Sequence, residues 1–435
     1  MAAANFSKLE LPPLPDYTLH PRPSLLSWVS DGYFTLALPI IGYWILSGIF
    51  HLIDTYDLFP QYRLHTPAEV LKRNHVTRWE VFRDVILQQV LQTVFGVIML
   101  IFDDDPTYGK EAYDVAWYAR NIRLAQRAIP VILATIGVNS SGLATKMSTS
   151  QPMLAGVIAG GRYPGLTQLV TIGGQTGIAP GFAPWELLVA KALYTFVVPA
   201  MQFFLGFAIV DTWEYFLHRA MHMNKWLYVT FHSRHHRLYV PYAYGALYNH
   251  PVEGFVLDTL GTGLAYLVTG MTVRQSMWFF TISSIKTVDD HCGYALPFDP
   301  LQLITTNNAG YHDIHHQSWG IKNNFAQPFF TFWDTYLGTN WKGDVSMRYE
   351  KSRRVAQQKV EQEQASKSLP TENVRTSVPA SDENTRPQPI SAPRSLRKKS
   401  SSISQSAGNL KGLRNKVTES LHGSRGAVLG VESNH

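Results

Sequence analysis

Sixteen histidines occur in the 435 residues, and ten of them fall between His218 and His316. Their spacing carries the chemistry. His218 and His222 bound the run HRAMH, an i, i+4 pair. His232, His235 and His236 form HSRHH, and His312, His315 and His316 form HDIHH. Both of these read H-x-x-H-H, so on a helix the offsets i, i+3 and i+4 put side chains on one face, with Cβ atoms about 5–6 Å apart. Ring nitrogens placed that way can converge on one metal ion or on an adjacent pair. The isolated His291, in DDHCGY, brings the candidate ligands to nine. One such pair would say little, because a stray histidine on an apolar face is usually a packed or surface residue. His250, in YNHP, follows no ligand spacing and is not counted; His20, His51, His65, His75, His422 and His435 are dispersed and read as surface or interfacial residues.

The donor set narrows the options. A structural zinc takes four ligands, often thiolates, and the chain has a single cysteine, Cys292. The metalloprotease run H-E-x-x-H is absent. Nine imidazoles exceed what one zinc can use and suit two octahedral ions with open positions, although imidazole serves iron, zinc, copper and nickel alike. Ligating imidazoles need a partner on the other ring nitrogen. Asp211, Glu214, Asp289, Asp290 and Asp313 are near enough in sequence to be expected in that role. Activating a C–H bond takes an oxidant that amino acids cannot supply, so metals and dioxygen would do that chemistry. The run GVIAGG at 156–161 is not a nicotinamide-binding fingerprint.

What must position these residues is apolar. Only 16% of the chain is charged and 45% is hydrophobic. Residues 32–53 form a charge-free window of 22 residues, long enough as a helix to cross a hydrocarbon core of about 30 Å. Windows 85–102 and 192–210 are comparable, and 259–273 with 275–285, split only by Arg274, read as an in-and-out hairpin. The loop 54–84 carries Arg63, Lys72, Arg73, Arg78 and Arg83, which the positive-inside rule puts in the cytosol. Three crossings then return everything after Val210 to that side. The net charge of +6 is uneven: residues 351–435 hold 15 of the 38 Lys and Arg but 7 of the 32 Asp and Glu. The remaining body is slightly acidic, which argues against a nucleic-acid partner. One cysteine excludes an internal disulfide framework. The expected organisation is a polar segment 1–31, an N-terminal transmembrane region 32–127, a Gly-rich insert 128–186 with little helical or strand periodicity, a catalytic region 187–350 with the histidine boxes, and a disordered basic tail 351–435 that includes the Arg394–Lys399 cluster. The fold class is all-α, a polytopic helical integral membrane protein with a cytosolic histidine-box metal domain.

These boxes resemble those of the membrane fatty-acid hydroxylase and sterol-desaturase superfamily. The flanking stretches are most similar to fungal sphinganine 4-hydroxylases, also called sphingolipid long-chain-base 4-hydroxylases. They are SDGYFTLALPIIGYWILSGIFHLIDT, VDTWEYFLHRAMHMNK, PYAYGAL, VEGFVLDTLGTG, KTVDDHCGYALPFDP and NNAGYHDIHHQSWGIKNNFAQPFFTFWDTYLGTN. The resemblance covers roughly 20–127 and 187–345; the Gly-rich insert and the tail depart from it. It implies a di-iron monooxygenase of the endoplasmic reticulum with His218, His222, His232, His235, His236, His291, His312, His315 and His316 as iron ligands. Electrons would come from NAD(P)H through cytochrome b5 and its reductase. The lipid substrate would be sphinganine or dihydroceramide, giving phytosphingosine or phytoceramide. The boxes by themselves also suit a sterol desaturase or sterol methyl oxidase. A membrane metal transporter would instead place ionisable residues within the spans.

Overall fold

In a bilayer core, only helices and closed barrels satisfy every backbone group internally, so apolar windows of this length have to become helices. A computed structural model describes residues 4–5, 10–172 and 175–368, and these are predominantly helical. Helix α1 (Asp31–Thr55) starts at Ser30, whose hydroxyl accepts from the Tyr33 N–H. The short α2 (Pro67–Arg73) and the long α3 (Arg78–Leu100) both start on reciprocal capping boxes, Thr66 with Glu69 and Thr77 with Glu80. After α4 (Glu111–Gln126) come three short helices, α5 (Ile129–Thr135), α6 (Ser140–Met147) and α7 (Pro152–Ile158). Helix α8 (Pro184–Ala192) runs through a π turn, Leu193–Val197, into α9 (Val198–Met223). Pro199 cannot donate within a helix, and the wider turn just before it, closed by Val198 N–H on Leu193 O, accommodates that loss. Then follow α10 (Lys225–Thr230), a 3-10 turn at His232–Arg237, α11 (Pro251–Gly254), a second π turn at Phe255–Thr259 and α12 (Leu260–Thr269). The chain continues with α13 (Val273–Asp290), α14 (Pro300–Ile304), α15 (Ala309–His316), α16 (Phe332–Leu337) and α17 (Val345–Ser368).

By length and composition α1, α3 and the α8–α9 rod can cross a membrane; Glu111–Thr135 with Ser140–Met147, bent by 114°, could be a fourth, broken span. Their side chains are distributed inside out. Ile45, Val94 and Phe204 face outward, whereas Ser47, Gln88 and Gln89 are buried. Lipid accepts the first set, and interhelical hydrogen bonds accept part of the second: Trp44 Nε1 donates to Gln89 Oε1 at 2.9 Å. The chain is thus a polytopic helical membrane protein. The expected hairpin is α12–α13, turned at Gly270, and Arg274 at its tip pairs with Asp31 at 2.7 Å. Helix α13 lies along α1 so closely that a Cβ on Gly42 would sit 3.1 Å from Ile285. Helix α12 crosses α9 at Gly261, where a Cβ would meet Trp213 at 2.6 Å.

The Gly-rich stretch departs from the sequence expectation of little regular structure. Besides α5–α7 it contains an antiparallel pair, β4 (Thr167–Ile172) and β5 (Gln175–Pro180), in register from Thr167 opposite Pro180 to Ile172 opposite Gln175. The backbone of β1 (Ala4–Asn5) adds to β5 in parallel, and β2 (His20–Pro21) pairs with β3 (Thr107–Tyr108). Short-range devices hidden from a periodicity count make this order. Asn139 caps α6, and Pro130 and Pro152 start α5 and α7. A buried ionic knot ties the region to α4 and α8. Arg123 donates to Glu186 through Nε at 2.6 Å and Nη2 at 2.5 Å, and Gln126 donates to the same carboxylate. A second departure concerns the tail: helix α17 continues to Ser368, so the expected boundary at 351 falls inside a helix, because α17 is held against α2 by Lys72 with Glu363 and against α15 by Tyr349 with Asp313. The tail beyond residue 368, with the Arg394–Lys399 cluster, lies outside the described residues.

Removing one partner of a buried ion pair leaves a charge unpaired and costs about 3–5 kcal/mol. Arg123→Ala is therefore expected to lower the thermal unfolding midpoint of the detergent-solubilised protein by several degrees. Lys110→Ala, which breaks an exposed pair with Asp114, should leave it unchanged within error. Equal effects would refute the structural weight given to the knot.

Candidate metal centre

Four elements bring the nine histidines together. His218 and His222 lie in the last turns of α9, on the same buried stripe as Asp211 and Glu214. His232, His235 and His236 come from the 3-10 turn, His291 from the residue that ends α13, and His312, His315 and His316 from α15. Asn308 starts α15 by accepting from Tyr311 N–H. All nine are buried, none more than 8% exposed.

Their ring nitrogens form two groups, and within each group one nitrogen of every ring lies within 4.8 Å of the others. The first contains His218, His222, His232, His236 and His315; the second contains His235, His291, His312 and His316. Each H-x-x-H-H run therefore serves both groups, in opposite sense. In the 3-10 turn the outer two histidines join the first group and His235 the second; in α15 the outer two join the second group and His315 the first. Spacing had allowed one metal or an adjacent pair, and the folded chain makes two clusters.

The tautomers follow from the other side of each ring. Backbone carbonyls can only accept, so a ring nitrogen facing one must carry the proton. Nδ1 donates to Phe325 O in His218 (2.8 Å), to Tyr248 O in His235 (3.3 Å) and to Thr287 O in His291 (2.8 Å). It donates likewise to Asn323 O in His315 (2.7 Å) and to Leu238 O in His316 (2.9 Å). His232 Nδ1 meets the Glu253 carboxylate. In these rings Nε2 is left with its lone pair, and the lone pairs point at one another. His235 and His291 face each other at 3.5 Å between Nε2 atoms, and His218 and His232 at 3.1 Å. His315 Nε2 is buried with no partner. Burial pushes His235 and His291 down to about 3, with neighbouring imidazoles adding to the effect, so both are neutral at physiological pH. Converging neutral lone pairs repel unless a cation lies between them, and neutral imidazole is the form that binds a metal. The donor set therefore fits two metal ions.

The five carboxylates expected behind the rings touch none of them. Asp211 accepts from the N–H groups of Phe329 and Phe330. Glu214 stands one turn before His218, where its side chain leans away from the ring, and bonds with Gln327. Asp289 accepts from Gln302, and Asp290 from Lys286 and Asn307. Asp313, a residue on from His312, points off the ligand face of α15 and receives His65 Nε2 (2.9 Å), Gln317 Nε2 (3.2 Å) and the Tyr349 hydroxyl (2.5 Å). The rings are held mainly by carbonyls, which leave no trace in residue type. Two residues were missed. Glu253 lies 21 positions from the ring it holds. His65, expected at the surface, is buried between Glu69 and Asp313. Burial alone would lower its pKa, but the two carboxylates hold it up at about 9. An H-x-x-x-E pair inside a capping box was its only sequence signal. His250 caps α11 through Nδ1 and joins neither cluster.

Partners behind a ligating histidine are worth about 10–100-fold in metal affinity. Glu253→Gln should therefore lower retention of divalent metal about tenfold or more, measured as metal content after dialysis against graded chelator. Unchanged retention would remove Glu253 from the orienting role.

Comparison with known proteins places this geometry. Residues 203–339, which hold all nine histidines, match the fatty acid hydroxylase family. Sphingolipid C4-hydroxylase SUR2 of Saccharomyces cerevisiae is 45% identical over 78% of this chain and 80% of its own length. The sphingolipid C4-hydroxylase sur2 of Schizosaccharomyces pombe is 40% identical over 74% of this chain and 92% of its own. Sphinganine C4-monooxygenase 1 of Arabidopsis thaliana is 36% identical over 72% and 88%. No solved structure matches. Similarity on this scale, extending far beyond the histidine boxes, makes the chain a member of the fatty acid hydroxylase family to which these sphingolipid hydroxylases belong.

Proposed function

We propose that the protein is a membrane monooxygenase that hydroxylates carbon 4 of a sphingoid base, sphinganine or dihydroceramide, to give phytosphingosine or phytoceramide. The observation that carries this reading is the pair of buried all-histidine clusters at the ends of membrane-spanning helices, in a chain three of whose relatives, at 36–45% identity, carry that activity in their names. Overall, one C–H bond, one dioxygen, two electrons and two protons give one C–OH and one water. The nine histidines would hold two iron ions, which supply when bound the oxidising power that side chains lack. The chain's own part is to keep nine imidazoles neutral, point their lone pairs inward and shield the site from bulk water. Reducing equivalents come from NAD(P)H through cytochrome b5 and its reductase.

The sterol-modifying alternative uses similar boxes, but the likeness to sphingolipid hydroxylases spans more than 70% of this chain. A transporter would line its spans with accessible ligands, whereas these histidines are enclosed. The location proposed is the endoplasmic reticulum membrane with the histidines on the cytosolic side. The basic loop 54–84 supports that orientation, since it packs on the histidine end of the molecule through Arg63 with Tyr294 and His75 N–H with Arg237 O.

Expression in a host lacking 4-hydroxylated long-chain bases should restore them, and His235→Ala should abolish product without loss of membrane location. Absence of product from an abundant, membrane-inserted protein would refute the function. Cys292 is buried, so added cysteines report topology. Leu71→Cys should react with an impermeant maleimide in intact microsomes, and Leu169→Cys only after detergent. The reverse pattern would overturn the orientation.

A further inference from the structure

A cavity opens against the two clusters. His232, His235, His291 and His312 line it together with Glu214 and Asp258. Asp258 comes from the π turn Phe255–Thr259, a widening of the helix that aims a side chain off the regular ladder. Other carboxylates at this wall are already engaged: Glu253 with His232, and Asp290 with Lys286. Glu214 and Asp258 are different. Among the described residues neither has a Lys or Arg partner; Glu214 has only the Gln327 amide, and one Asp258 carboxylate oxygen is buried without any partner. His312, in the same lining and 1% exposed, has its Nδ1 equally unpartnered. Two buried carboxylates with no protein cation, in a cavity lining that also holds His312 with an unpartnered Nδ1, suit a ligand that brings positive charge and a hydrogen-bond acceptor.

A free long-chain base has both. Its amine is protonated at neutral pH and sits on the next carbon but one from carbon 4, with a hydroxyl on the carbon between. An ammonium seated on these carboxylates would hold carbon 4, two carbons away, in the cavity that the histidines also line. In the N-acylated form the amine is a neutral amide and loses that attraction.

We propose that Glu214 and Asp258 form the subsite that holds the protonated amine of the free long-chain base. This rests on the reading of the chain as a sphingoid-base hydroxylase. The test is equilibrium binding of sphinganine and of N-acetylsphinganine to the metal-loaded protein in lipid nanodiscs, without oxygen or reductant, together with metal content and aerobic product analysis. A charge-assisted hydrogen bond amounts to about tenfold or more in affinity. The parent protein should therefore bind the free base about tenfold more tightly than the acetylated one. Glu214→Gln and Asp258→Asn should each remove most of that preference while leaving N-acetylsphinganine binding within about twofold. No preference in the parent overturns the subsite, and this comparison decides even if a variant fails to fold. Loss of metal from both variants with the preference intact would assign the carboxylates to balancing the charge of the ions, and would also overturn it. A parent that makes 4-hydroxylated product yet shows no preference loses only the subsite. A parent that prefers the free base yet forms no product loses the hydroxylase reading.

Discussion

Nine imidazoles turned inward with bare nitrogens repel one another, and the rest of the structure is organised to hold them so. The means is indirect. Backbone carbonyls at Leu238, Tyr248, Thr287, Asn323 and Phe325 fix five of the rings. A carbonyl can do this only if its loop cannot move. Asp334 receives the N–H groups of Phe325 and Ala326, Asp211 those of Phe329 and Phe330, and Asn324 bridges Tyr311 O and Trp341 N–H. Buried carboxylates thus act one step behind the ring partners, on loops whose carbonyls touch the rings.

The membrane helices add rigidity along another direction. Helix α9 crosses the apolar layer and ends in His218 and His222, and α13 ends at His291. Both are packed by close backbone approach, at Gly261 for α9 and at Gly42 for α13. At the far end, Asp31 with Arg274 joins the start of α1 to the tip of the α12–α13 hairpin. Two of the nine histidines, His218 and His222, therefore extend a span, and His291 extends the hairpin helix packed along α1.

Much of this was legible in the sequence. Charge-free windows gave the long helices, since nothing else satisfies a backbone in lipid. The i, i+3, i+4 spacing gave the ligand candidates, since side-chain direction on a helical turn is fixed by geometry. What was illegible depended on contacts between distant residues. Glu253 meets His232 because a 3-10 turn and α11 pack together, and His65 meets Asp313 across 248 positions. The carboxylates near the boxes in sequence were assigned to rings by proximity, but helix rotation turned Asp313 away and laid Glu214 over the preceding turn. The Gly-rich stretch hid its order because caps and prolines, not periodicity, define it.

The opposite sharing of histidines by the 3-10 turn and α15 has a mechanical consequence. In each segment three residues within five positions reach into both clusters, so the separation of the clusters is written into local covalent geometry rather than into the fit of two surfaces. A loosened helix contact can tilt the two centres together, but it cannot draw them apart. The interval between the two clusters is thereby insulated from the motions that a lipid must cause as it enters and leaves, and the protein can be compliant around a lipid while its cluster-to-cluster span stays constant.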